Sequence, residues 1–340
     1  MFNLLKGVDL LVADVLVAQP GLIQGTSDAL GAYLKVFAGE TLAAFSRASV
    51  TMGRHIVRTI SSGKSAQFPV FGRADAAYLK PGKSLDDIRK NIPTGEKVIV
   101  IDGLLATSQV IPDIDEAMSH FDVRSEYTKQ MGEALALKMD GSVLAEAAKM
   151  VVANKENLTG LGKGEIITKK IAAADIGVTE AEGKALVQEL LEIKAKMSNN
   201  YVPESERYVF MTPTARTALI ASLVAINRDY GGVATITDAN ILRIAGFDII
   251  ECPHLTMGGA AANEGLLQGE GHVFPAAYKD KCAFIAMHKS AVGTVKLRDL
   301  KLERARRAEL QADMLAASYS VGHGGLRPEA AYMGCIEASV

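Results

Sequence analysis

Tryptophan is missing from this chain and cysteine is scarce. The first absence decides nothing. The second is informative, because Cys252, Cys282 and Cys335 are odd in number and far apart. That argues against a disulfide framework and for folding in a reducing compartment. Surplus positive charge is also lacking: 37 basic side chains against 39 acidic ones leave a net charge of −2. Tight nucleic-acid binding needs a basic surface that displaces counterions from phosphates, so it is disfavoured. Nor is there a long apolar run. The most apolar stretch, MFNLLKGVDLLVADVLVAQPG at the N-terminus, is interrupted by Lys6, Asp9 and Asp14. It is too short and too charged to span a membrane, so no membrane partner is expected. Leu4, Val8, Leu11 and Val15 fall there at helical spacing, which suggests an amphipathic arm seeking a partner surface.

The signatures of chemistry are equally thin. GKS occurs twice, at Gly63–Lys64–Ser65 and Gly82–Lys83–Ser84, but the glycine a phosphate loop needs five residues earlier is replaced by Arg58 and Ala77. Pro69 follows where a helix would have to begin. GLGKG at 160–164 has no ordered context and reads as a linker. Cys252, His254, His272, Cys282 and His288 lack the paired steps of a zinc site. No G-x-S-x-G elbow occurs. No catalytic residue, metal or cofactor is expected.

What is present is an ordered globular pattern, 49% hydrophobic and 22% charged, long enough for one large or two ordinary domains. Leu30, Tyr33, Leu34 and Phe37 start a helix that continues toward Leu42 and Phe45. Residues 61–73 alternate, with Ala66, Phe68 and Val70 on one face, and KVIVID at 97–102 matches them as a second strand. The polar tract between contains Pro81, Asp86, Asp87, Arg89 and Pro93, an excursion too long for an ordinary turn. Pro112 and Asp113 open the longest expected helix, striped by Ile114, Met118, Phe121, Tyr127, Met131, Leu135 and Met139. Running to about Val151 it would span roughly 55 Å, with Gly132 and Gly141 as weak points.

A connection over 154–175 precedes an α/β unit. Thr179 and Glu182 form a capping box there, and Leu186, Leu190, Ile193 and Met197 line the helix. Strand 208–211 leads to a helix capped by Thr212 and begun by Pro213, with Leu219, Ile220 and Leu223 inward. Then come strand FDIIEC (247–252), a glycine-rich loop (258–271) and strand CAFIAMH (282–288). Val295 and Leu297 alternate before the phase slips to Leu300 and Leu302, which places a bulge near Arg298 and Asp299. Residues 310–321 are ambiguous between helix and strand, 322–328 read as a turn, and 332–337 as a last strand. Arg298, Lys301, Arg304, Arg306 and Arg307 interleave with Asp299, Glu303 and Glu309. Pairing across subunit contacts is the preferred reading; a solvated or intrasubunit charged face and direct DNA contact are the others.

Three runs carry a resemblance: LKVFAGETLAAFSRASVTMGRHIVRTISSGKSAQFPVFGR (34–73), EKVIVIDGLLATSQVIPDIDEAMSHFDVRSEYTKQMGEALALKMDGSVLAE (96–146) and SAVGTVKLRDLKLERARRAELQADMLAASYSVGHGGLRPEAA (290–331). In this order they cover more than a third of the chain. Their wording closely resembles the major capsid proteins of T-seven-type short-tailed bacteriophages. The resemblance implies an α+β fold of the tailed-phage capsid (HK-ninety-seven) type. Its parts would be an N-terminal arm (1–61), an extended β-hairpin loop (62–95), a peripheral domain with spine helix and sheet (96–175 and 279–340) and an axial domain (176–278). It also implies a strand over the ambiguous 310–321.

By the same resemblance, copies would assemble as hexamers and pentamers into an icosahedral shell around double-stranded DNA. Assembly would take place in the host bacterial cytoplasm. Partners would be a scaffolding protein, a portal protein, the packaged DNA without sequence specificity, and a minor or decoration capsid protein. Lys64, Phe68, Arg73, Asp86, Asp87, Arg89, Arg298, Asp299, Glu303, Arg304, Arg306 and Arg307 are the expected inter-subunit contacts. Residues 1–24, 154–262 (apart from ECPHLT at 251–256) and those after Ala331 depart from the family. A cellular nanocompartment shell of the same fold and an α/β enzyme stand as alternatives.

Overall fold

The computed structural model describes residues 40–45, 48–114, 123–222, 243–253, 255 and 271–339. The expected N-terminal amphipathic arm, His254, Leu223 and most of the glycine-rich tract lie outside these. A ribbon of two long antiparallel strands dominates, β10 (Val292–Arg307) and β11 (Ala312–Gly325). It is flanked by β1 (Ile56–Thr59), parallel to β10, and β4 (Leu104–Pro112), antiparallel to β11. The register slips between Lys296 and Arg298 and again before Lys301. This is the bulge that the slip from Val295 and Leu297 to Leu300 and Leu302 predicts. The alanines of 310–321 do not make a helix. Pairing on both sides, to β10 and β4, overrides their propensity.

A second sheet runs β5 (Ile166–Ala172), β12 (Ala331–Ser339), β9 (Cys282–His288), β6 (Arg207–Met211), β8 (Phe247–Glu251), β7 (Arg243–Ile244). It thus combines strands from stretches expected as peripheral and as axial. Helices α2 (Glu180–Asn199) and α3 (Pro213–Ala221) accompany it. Thr179 caps α2 by accepting from Glu182 N, while the Glu182 carboxylate reaches back to Gly177 N. Thr212 caps α3 the same way through Ala215 N. Leu186, Leu190, Ile193 and Met197 are fully buried. A third, two-stranded unit is the antiparallel hairpin of β2 (Ser65–Phe71) and β3 (Thr94–Val100).

Helix α1 (Val123–Ala153) joins these parts. Its 31 residues extend about 46 Å at 1.5 Å per residue. Met131, Leu135, Ala136 and Met139 pack with Leu302, Leu315, Ala317 and Tyr319 of the ribbon. Val143, Leu144, Ala147 and Val151 belong instead to the core around Phe284, Tyr332 and Met333. One helix therefore serves two cores, which meet near Asp140.

Four expectations need correction. Pro112 ends edge strand β4 opposite Ala312 rather than opening the helix. At that position its missing N–H leaves no ladder bond unmade. Asp113 and Ile114 are helical, but 115–122 lie outside the described residues. Gly132 is no weak point: a Cβ there would collide with the Thr41 carbonyl and crowd Ala44, so glycine lets helical residues 40–45 lie against α1. The supposed connection 154–175 contains β5, an edge strand whose Lys170 is exposed, whose Lys169 pairs with Glu192 of α2 at 3.2 Å and whose Ile167 is buried. The turn expected at 322–328 is largely strand, since β11 continues to Gly325. Gly322 is required there because the Val100 backbone passes directly over it.

Candidate interaction surfaces and polar joints

The arginine cluster sits at the far end of the β10–β11 ribbon. Asp313, almost wholly buried, accepts from Arg124 of α1 at 2.8 Å and from Arg304 at 2.5 Å. Arg306 forms two parallel bonds to Asp113, both 2.6 Å, and approaches Asp313 at 3.6 Å. Burial opposes the Asp313 charge, but Arg304 and Arg124 outweigh it and hold the carboxyl below its ordinary range. Asp113 lifts Arg306 well above the usual guanidinium range. Nearby, Asp299 pairs with Lys296 at 3.0 Å and Glu303 with Lys301 at 2.5 Å. Arg298 and Arg307 are exposed. Arg304 and Arg306, expected to reach a neighbour, are engaged within the subunit: Arg304 shares Asp313 with Arg124 of α1, and Arg306 ties the ribbon tip to Asp113 just after β4.

Asp313→Asn should cost roughly 2–3 kcal/mol, because it leaves two half-buried arginines without their buried counter-charge. Its depressed folded pKa supplies stability above the ordinary carboxylate pKa, lost as pH falls through the folded value. Urea unfolding at several pH values should therefore show a flatter acid limb in the variant. An unchanged acid limb would show that the hub contributes nothing.

The hairpin carries the other candidates. Lys64 is exposed, and its carbonyl accepts from Ile101 N at 2.8 Å. The Arg58 guanidinium lies 5.6 Å over the half-buried Phe68 ring. Arg73 donates to the Asn200 carbonyl at 2.6 Å and stacks 4.5 Å over Tyr201, which ties the hairpin to the end of α2. Asp86 and Arg89 form an exposed pair at 2.7 Å, beside Asp87 in the 3-10 turn Leu85–Asp87. Exposed pairs of this kind contribute about 0–1 kcal/mol. The apolar residues are more telling. Phe71 is 65% exposed, Leu85 69%, and Tyr78 wholly so, left uncovered by the described residues of their own subunit.

Two buried polar joints carry no sequence motif. Asp140 of α1 accepts from Ser49 Oγ (2.7 Å), Val50 N (2.6 Å), Thr51 Oγ1 (2.5 Å) and Thr51 N (3.3 Å). The only local signal is a carboxylate inside the apolar stripe between Met139 and Val143. The second joint is His272, whose Nε2 meets Asp102 at 2.7 Å and whose Nδ1 meets Glu146 at 2.8 Å. Glu146 also pairs with Lys149 at 2.8 Å. Burial works against the imidazolium, but hydrogen bonds to Asp102 and Glu146 outweigh it and raise its pKa to about 9.

Among the described residues no group of three His, Cys, Asp or Glu could hold a metal ion. All three cysteines are buried and none forms a disulfide, and burial pushes the Cys335 thiol up to about 12, where it is unreactive.

A family model described as Gp10A-like major capsid protein matches residues 67–333. The major capsid protein of Escherichia phage T7 is 49% identical over 320 residues, 91% of this chain and 93% of that protein. The major capsid protein of Enterobacteria phage T3 is 48% identical, covering 91% of this chain and 92% of its own length. The phage T7 minor capsid protein is 49% identical over 91% of this chain and 80% of its own. Among solved structures, the capsid of cyanophage P-SCSP1u superimposes with a TM-score of 0.72 at 35% identity, over 94% of this chain and 98% of that one. The mature capsid of bacteriophage PhiM1 gives 0.69 at 17% identity, over 85% and 87%, a likeness of fold alone.

Proposed function

This chain belongs to the Gp10A-like family of major capsid proteins, and from that premise we propose how its parts divide the work of building a phage shell. It is a structural subunit of the icosahedral capsid, with the HK-ninety-seven-type fold, and not an enzyme. The cellular-compartment alternative is not favoured. In the finer reading, copies form hexamers and pentamers with a scaffolding protein as assembly helper. A portal protein replaces one pentamer, and double-stranded DNA is enclosed without being gripped. A minor or decoration capsid protein completes the particle, and assembly takes place in the host cytoplasm. Residues 176–278 face the capsomer centre as the axial domain; 96–175 and 279–340 form the peripheral domain; 1–61 and 62–95 reach neighbours.

The observation that carries this reading is the β2–β3 hairpin, with Phe71, Tyr78 and Leu85 exposed among the described residues. Apolar strips of this kind mark surfaces that meet another chain. Lys64, Phe68, Arg89, Arg298 and Arg307 surround it or project elsewhere as candidate contacts. Contacts that are weak singly and repeated around a closed shell allow errors to be corrected while the whole stays durable. We infer further that the arm and the 62–95 loop re-dock when the precursor shell changes size. Co-expression with scaffold followed by negative-stain microscopy should give closed particles. Hydrogen exchange on precursor and mature shells should differ at 62–95; equal protection in both states would overturn the re-docking.

A further inference from the structure

We propose that His272 is a charged latch between the root of the β2–β3 hairpin and helix α1, closed by a doubly protonated ring and released when the hairpin swings. The swing is the re-docking proposed above, and the latch rests on that reading. Both ring nitrogens of His272 lie within hydrogen-bond distance of a carboxylate, Asp102 at 2.7 Å and Glu146 at 2.8 Å. Carboxylates only accept, so both nitrogens must donate, and a ring that donates from both is a cation.

The three partners come from three separate places. Asp102 lies in the short turn between β3, which belongs to the hairpin, and β4, which belongs to the four-stranded sheet. Any swing of the hairpin against the sheet turns about this connection. Glu146 lies on the half of α1 that serves the larger core, and His272 on the segment leading toward β9. One imidazolium therefore fastens hairpin root, helix and sheet entry together.

Charge around the ring is balanced only while it is protonated. Facing it among the described residues are Asp102 on the turn, Glu146 and Lys149 on α1, and His323 on β11. Lys138 and Lys97 line the adjoining cavities. The His323 ring stands edge-on 5.6 Å away and bonds Thr294 Oγ1 at 2.9 Å. Burial, and then the charges of His272 and His55, push it down to about 3. It is neutral and does not repel the latch. His55 is likewise lowered by burial. Loss of the His272 proton leaves one donor for two carboxylates, both partly buried, so one of them must let go. The raised pKa of about 9 agrees with this geometry. Its stabilising contribution is complete below the unfolded histidine pKa and is lost as pH rises through the folded one.

Hydrogen exchange on assembled shells tests the latch, with rates corrected for base-catalysed intrinsic exchange. Between pH of about 7 and about 9.5, wild-type protection at 101–105 and 142–150 should fall roughly tenfold. His272→Gln, similar in size but uncharged, should show the low value already near neutrality, and Asp102→Asn should fall between. Equal protection in wild type and His272→Gln near neutrality would overturn the latch. If His272→Gln does not assemble, the wild-type pH pair decides alone, and an unchanged protection ratio sinks the proposal. Failure of wild type to form shells would instead refute the assembly reading, whereas normal shells with pH-independent protection would refute only the latch.

Discussion

Replacing Asp140 with alanine should be the most damaging single change in the chain, costing about 3–5 kcal/mol. The carboxylate is fully buried and accepts four bonds from three consecutive residues, Ser49, Val50 and Thr51. Removing it strands two backbone N–H groups and two hydroxyls where water cannot replace their partner. The damage should spread, because the Thr51 carbonyl in turn meets His55 Nδ1 at 2.9 Å just before β1. Asp140→Asn should be milder, since the amide keeps one accepting oxygen but turns a donor toward groups that are themselves donors. Urea unfolding of the unassembled subunit measures both. Limited proteolysis should cut near residues 48–55 first in the alanine variant. A loss below about 1 kcal/mol would mean the segment is held by apolar packing of Phe45 and its neighbours instead.

Glu189→Gln should work in the opposite direction and stabilise the fold. Glu189 lies on the buried face of α2 against Gly334 and the Phe284 ring. Neither carboxyl oxygen finds a hydrogen-bond partner of normal geometry among the described residues. Burial pushes the carboxyl up to about 8, with Lys169 pulling weakly the other way. It is therefore neutral in the folded subunit near pH 7 but ionised in the unfolded chain. The sign follows: relative stability is fully present below the unfolded carboxyl pKa, declines as pH rises toward about 8, and is then level. At neutral pH the wild type should be poorer by about 3 kcal/mol on this account. The glutamine variant should lose that slope. Parallel pH profiles for wild type and variant, measured by urea unfolding between pH of about 5 and 9, would refute the assignment.

Legibility in the sequence followed the range of the interaction. Local patterns were readable. The slip from Val295 and Leu297 to Leu300 and Leu302 marks a bulge because strand side chains alternate strictly. Thr179 and Glu182 mark a cap because its hydrogen bonds span three residues. The α1 stripe was readable where it faces the ribbon, at Met131, Leu135 and Met139. Strand β5 was hidden because an edge strand tolerates the lysines and flanking glycines that otherwise suggest a loop. Gly132 looked like a defect because its reason, the Thr41 carbonyl, comes from another segment. The charged cluster was the hardest. A run of arginines says that carboxylates are near but not whose, and only the fold assigns Arg304 and Arg306 to Asp313 and Asp113. Asp140 and His272 were invisible for the same reason, their partners lying about 90 residues away or more.

The double allegiance of α1 has a mechanical meaning. A rod embedded at one end in the ribbon sheet and at the other in the larger core cannot tilt against either without opening packed apolar contacts, so load applied at the ribbon tip is carried undiminished into the six-stranded sheet. The subunit body is stiff along that axis, and compliance is left to the hairpin. A container made of such units would carry stress in its wall through rigid plates, and any change of its dimensions would fall on the flaps that join them.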